Sequence, residues 1–163
     1  ACSRMDNGEI ALMFCMGNSE AKKKAERIYV QYRQNIIQGL RFIEANSKIQ
    51  GKEYVIINAK DSVKDTIIGT LASILSFSSV YKEGTIIVAM AYNQDKIKVS
   101  ARMAGRNPES DRNLKEIIES VISITGGECG GHKEAAGGTI KKESEQKFIE
   151  EIQKRLEFEL IKI

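Results

Sequence analysis

The chain has 163 residues, a formal net charge of +3, 42% hydrophobic residues, five Tyr, five Phe and no Trp. That length supports one ordinary domain, or a small domain with an attached arm, and is enough to bury a core. So mild a charge sets aside a dedicated DNA-coating protein, and so few aromatics set aside a base-stacking platform as the main binding device.

In chain order, the apolar residues Ala21, Ala25, Ile28, Tyr32, Ile36, Leu40 and Ile43 recur at steps of three and four. That spacing predicts one long amphipathic helix from about Ser19 to Ala45, with Lys22, Lys23, Lys24, Arg27 and Arg33 on its solvated face. The polar stretch Asn46 to Lys52 reads as a boundary, giving a connecting helix over 19–50 and a domain over 51–163. Tyr54 to Asn58 is a β-branched run and reads as a buried strand. Ser62 and Asp65 suggest a capping box for a helix through about Phe77, with Val63, Ile67, Leu71 and Leu75 inward.

Thr85–Tyr92 and Lys96–Arg102 read as a hairpin turned at Asn93-Gln-Asp95. Met103 to Arg112, with Pro108, reads as irregular. Asn113 with Glu116 predicts the cap of a helix that faces inward with Leu114, Ile117, Ile118, Val121 and Ile122. A short strand is expected around Gly138 to Lys141, then a helix with Phe148, Ile152, Leu156 and Leu160 on one stripe. The pattern, a long helix then β-α-β-β-α-β-α, predicts an α/β fold: a mixed sheet with helices packed against it.

Two clusters carry groups suited to a ligand. Residues 126–138 have Gly at 126, 127, 130, 131, 137 and 138, and contain the only histidine. Read as a bare loop, this segment lets backbone N–H groups of Gly130 and Gly131 approach an anion, with His132 and Lys133 at its lip. The second cluster is the strand end holding Ser100, Arg102 and Arg106. Alternation puts Ser100 and Arg102 on one face, where a hydroxyl and a planar guanidinium make a phosphate clamp.

Catalytic candidates are scarcer. The aspartates at 6, 61, 65, 95 and 111 are scattered, so the clustered Asp and His ligands of a metal-dependent phosphodiesterase are not found, and no catalytic residue is assigned. Three cysteines, Cys2, Cys15 and Cys129, show no paired spacing and read as reduced thiols. Cys129-x-x-His132 has no second half and argues against zinc. With no signal segment and no apolar run long enough to span a bilayer, the expectation is a cytoplasmic protein without membrane contact. The opening Ala1-Cys-Ser-Arg-Met5, without an initiator Met, reads as a domain cut from a longer polypeptide.

Gly130-Gly-His-Lys-Glu-Ala-Ala-Gly137 resembles the Gly-Gly-His-x-x-Ala-Ala-Gly signature of the DHH-associated C-terminal domain of DHH-family phosphoesterases, in particular RecJ-like single-strand nucleases of archaeal type. Ser100-Ala-Arg102 resembles that family's Ser-x-Arg strand, Asn113-Leu114 the start of its next helix, and Ile67-Ile68-Gly69 its Gly-bearing helix. Residues 1–5 resemble the end of the family's catalytic domain, with Ser3 where Gly is usual, so 1–18 is expected to be its tail.

The resemblance implies a division of labour. Manganese or magnesium would sit in a separate Asp-His-His domain, while this chain, inactive alone, would hold phosphates of single-stranded DNA or RNA with Ser100, Arg102, Gly130, Gly131 and His132. Its own catalytic domain would then be a partner. The resemblance leaves open a phosphodiesterase for short oligonucleotides or cyclic dinucleotides. It also leaves open a replication scaffold associated with the GINS complex.

Overall fold

The computed structural model describes residues 1–105 and 110–161, with side chains described through residue 158. Arg106 and Pro108 therefore lie outside the described residues, as does the side chain of Leu160. After a single 3-10 turn at Ser3–Met5 come helices α1 (Gly8–Cys15) and α2 (Ser19–Ala45). Then follow β1 (Ile49–Gln50), β2 (Tyr54–Asn58), α3 (Asp65–Phe77), β3 (Ile86–Asn93) and β4 (Lys96–Met103). Helix α4 (Leu114–Thr125), strands β5 (Glu128–His132) and β6 (Ala135–Lys141), and α5 (Glu145–Ile161) follow.

The six strands form one sheet in the order β1-β2-β3-β4-β6-β5. Among the described residues only β2 and β3 run parallel; α3 makes that crossover, as a parallel connection requires. The other neighbours are antiparallel.

Each face of the sheet buries a separate core. Met90, Val99, Ala136 and Ile140 face α4 and α5, where they meet Ile117, Val121, Phe148 and Ile152. Val55, Ile57, Ile87 and Ala89 face the other way, onto Ile67, Ile68 and Leu71 of α3 and Ile43 of α2. Strands β2 and β3 are thus buried on both sides, so their apolar runs are continuous rather than alternating. A third cluster joins Ile10 of α1 to Ala21 and Ile28 of α2.

Several local expectations hold. Helix α2 has the limits its periodicity gives, and Asn18 Oδ1 caps it by accepting from Ala21 N at 2.9 Å. At α4, Asn113 Oδ1 accepts from Lys115 N at 3.1 Å, and its Nδ2 donates to Glu116 Oε1 at 2.8 Å.

Others are corrected. Ser62 does not cap α3: its own N–H bonds Ala59 O in a 3-10 turn, and α3 starts at Asp65 with no side-chain cap. Extended Val63, 4% exposed, comes between because it is drawn into the core. The Gly-rich segment is not a loop but a hairpin, β5 paired to β6 from Glu128↔Thr139 to His132↔Ala135. Regular pairing satisfies backbone groups that a bare loop would leave open. Helix α1 and strand β1 add to the expected pattern.

Candidate phosphate-binding groove

Helix α3 packs against β3 and β4. Beyond it, on the same side of the sheet, no helix among the described residues covers β6 and β5, and a groove of about 1170 Å³ lies there. Its floor is set by sequence parity. Lys96, Lys98, Ser100 and Arg102 occupy one face of β4, while Ile97, Val99, Ala101 and Met103 face the α4–α5 core. On the same face β6 contributes Ala135, Gly137 and Thr139. Across the three strands, Arg102, Ala135 and His132 form one row, and Ser100, Gly137 and Gly130 the next. Small side chains in both rows leave the space open: a Cβ on Gly130 would meet nothing within 4 Å.

The wall is α3. Thr66, Gly69, Thr70 and Ser73 follow helical spacing and all line the groove. Gly69 lets the helix approach β4, because a Cβ there would stand 3.2 Å from Ser100 Oγ. The hydroxyls of Thr66 and Thr70 are buried without a hydrogen-bond partner among the described residues. Such groups are costly unless a ligand or water meets them.

Arg102 is the centre of the site. Its Nε donates to Ser73 Oγ at 3.1 Å, and its Nη1 to Ala101 O at 2.7 Å and Ala136 O at 3.3 Å. These bonds fix the guanidinium and leave Nη2 near the groove wall, 4.0 Å from where a Gly69 Cβ would stand. It makes no ion pair among the described residues. Burial, and then the positive charge of Arg4, push its pKa down. Arg4 is held by a bond from Nη1 to Thr66 O at 3.0 Å. Arg4 and Arg102 line the same groove, and neither is in an ion pair among the described residues, which favours an anion.

The structure brings Ser100, Arg102, Gly130 and Gly131 to one groove. Gly131 has φ +149, and a Cβ on it would stand 2.5 Å from Ala135 O, so the hairpin needs glycine there. His132 ends β5 at the rim, exposed, two strands from Arg102 and so roughly 10 Å away between Cα positions. Neither it nor Lys133 lines the groove. Lys133 sits in the hairpin turn, which is tied down where Leu114 N donates to Lys133 O at 2.8 Å and Met103 N to Glu134 O at 3.1 Å. Arg106 is outside the described residues.

Sequence reasoning gave no role to Arg4, Lys96, Lys98 or the α3 hydroxyls. The signals were present: the lysines share the parity of Ser100 and Arg102, and Thr66, Thr70 and Ser73 form a polar stripe flanking Gly69. At Cys129, partial desolvation and then Glu119 raise the thiol pKa against the weaker opposing effect of Lys115. Among the described residues no group of three or more His, Cys, Asp or Glu could hold a metal ion, and no helix is long and apolar enough to cross a membrane.

The fold is similar to RecJ from Thermus thermophilus in complex with Mg2+, with TM-score 0.69 and 17% identity over 93% of this chain and 23% of that one. An exonuclease RecJ bound to manganese gives TM-score 0.67 and 18% identity over 93% of this chain and 36% of that one. The C-Ala domain of Aquifex aeolicus alanyl-tRNA synthetase gives TM-score 0.54 and 17% identity over 68% of this chain and 98% of that one. At such identities the likeness is one of fold, and the chain spans about a quarter to a third of these RecJ structures. No curated protein matches the sequence. The family model for the DHHA1 domain matches residues 51–157, and the chain belongs to that family.

Proposed function

We propose that this chain is the substrate-binding part of a RecJ-like, metal-dependent phosphodiesterase and that its groove holds phosphates of single-stranded nucleic acid. The observation that carries this reading is the half-buried, fixed Arg102 guanidinium, beside Arg4 and without a carboxylate partner among the described residues. A phosphate over Ala135 would take charge-assisted bonds from Arg102, with His132 reaching in from the rim and the glycine floor letting the nucleic-acid backbone approach. The chemistry belongs elsewhere in this reading: manganese or magnesium and an activated water would be supplied by a separate catalytic domain, with residues 1–18 as its tail. Residues 19–50 would connect it to the binding domain. This chain's share is to fix the scissile strand against that centre, an orientation effect rather than a proton transfer.

Fluorescence anisotropy with a labelled oligothymidylate tests the reading. Arg102→Ala is expected to weaken binding by roughly ten- to a hundredfold, as one or two charge-assisted bonds are lost. His132→Ala should weaken it less, because its side chain stands at the open rim. Affinity should fall with salt at a log–log slope of about −1.5 to −2 for two or three phosphate contacts. Unchanged affinity in both variants, or a slope near zero, would sink the proposal.

A further inference from the structure

The groove continues past the phosphate grip along β4. Lys98 and Lys96 stand two and four residues before Ser100 on the same strand face, both exposed and both lining the groove. Neither is in an ion pair among the described residues. Two carboxylates line the groove as well. Asp65 accepts from Asn93 Nδ2 at 2.9 Å, and Glu128 is two strands from Lys98, across Thr139. Both lie off the β4 row.

The spacing of that row has a chemical counterpart. Two residues of extended polypeptide contain six backbone bonds, and so does one nucleotide repeat. Stretched, both therefore repeat at roughly 6–7 Å. A strand laid along β4 would meet Arg102 first, pass Ser100, which is buried under Gly69 of α3, and then meet Lys98 and Lys96, over roughly 20 Å. The opposite wall, with the unpartnered hydroxyls of Thr66 and Thr70, offers neutral donors and acceptors rather than more charge.

We infer that Lys96 and Lys98 are additional phosphate subsites that make the groove a reader of extended strand length, selecting oligonucleotides of about four or more nucleotides over dinucleotides. This rests on the phosphate-grip reading of Arg102, and extends it from one phosphate to a polymer. Long Lys side chains suit the outer positions, because they follow a mobile backbone as point charges, whereas the fixed fork of Arg102 sets the register.

The test uses the whole chain and labelled thymidylate dimer, tetramer and octamer, measured by anisotropy across a salt series. For the unaltered chain, affinity should rise from dimer to tetramer and then level off. The double variant Lys96→Ala/Lys98→Ala should bind the octamer roughly tenfold more weakly, with a salt slope shallower by about 1.4, yet bind the dimer unchanged. Lys96→Arg/Lys98→Arg should restore the octamer. Equal affinity for dimer and octamer, or a double variant that binds the octamer normally while Arg102→Ala does not, overturns the length reader and leaves the phosphate grip standing. Lost dimer affinity in the lysine variant also overturns it. If Arg102→Ala changes neither dimer nor octamer binding, the grip itself has failed, and the length reader falls with it.

Discussion

Strands β3 and β5 belong to the same sheet yet are built on opposite terms. From Ile86 to Ala91 every residue of β3 is completely buried, between α4 and α5 on one face and α3 on the other. Every residue of β5 is exposed, and the strand is held by β6 alone on its hydrogen-bonding side. The apolar β-branched run of β3 supplies burial; the Glu-Cys-Gly-Gly-His of β5 supplies none. Stability and ligand access are therefore placed at different ends of one sheet. A bare edge strand is normally a liability, since its unpaired backbone groups invite another chain. Here the same bareness keeps the floor of the groove clear. The two ends are joined by β4, which gives one face to the core and the other to the groove.

That separation can be broken most severely from the packed side. Phe148 is completely buried against the sheet, and Phe148→Ala should cost about 3–5 kcal/mol of stability, read as a lowered urea midpoint with an unchanged slope. A cost below about 1 kcal/mol would show that this end is less tightly packed than its burial implies.

Gly130→Val sharpens the contrast from the other side. The added side chain meets no neighbour through its Cβ and suits a strand, so stability should change by less than about 0.5 kcal/mol. The isopropyl group would nevertheless stand on the groove floor, and oligonucleotide affinity should drop at least roughly tenfold, a loss of about 1.4 kcal/mol. A variant that loses stability and binding together would mean that the two ends are not independent.

The smallest effect appears only in alkali. Tyr92 at the end of β3 donates its hydroxyl to Glu145 Oε2, and Lys142 Nζ lies 3.9 Å from its ring centroid. Burial, then the bond to Glu145 and its charge, raise the Tyr92 pKa to about 12 from 10.0. The unfolded chain thus loses this proton first as pH rises. The contribution is complete below about pH 10 and is lost as pH climbs toward 12. Tyr92→Phe should flatten the fall in stability over that window and leave phosphate binding at neutral pH untouched. An unchanged alkaline profile would remove Tyr92 as its source.

How far these features could be read in advance depended on the range of the interactions that set them. The limits of α2 and the cap at Asn113 follow from neighbours within one or two turns, so periodicity and residue chemistry sufficed. The start of α3 was misplaced because Val63 answers to the core rather than to Ser62. The hairpin β5–β6 was missed because its glycines favour a turn locally, whereas its pairing is completed by β4, more than thirty residues away in the register Ser100↔Gly137. Arg4 was beyond reach for the same reason: its place in the groove comes from a bond to Thr66 O, 62 residues along the chain.

By itself the sequence determined the helices and strands of the packed end, the parity that sets Ser100 and Arg102 on one strand face, and the Gly-Gly-His segment as the place to look for an anion. All of these are local, because backbone preference and side-chain alternation act over a few residues. Only the tertiary structure decided that the Gly-rich segment is an edge hairpin, that α3 stops short of β6 and β5, and that Arg4, Arg102 and the α3 hydroxyls share a groove. These depend on which surfaces are left uncovered once the two cores are filled. Long-range packing, not local preference, makes that choice.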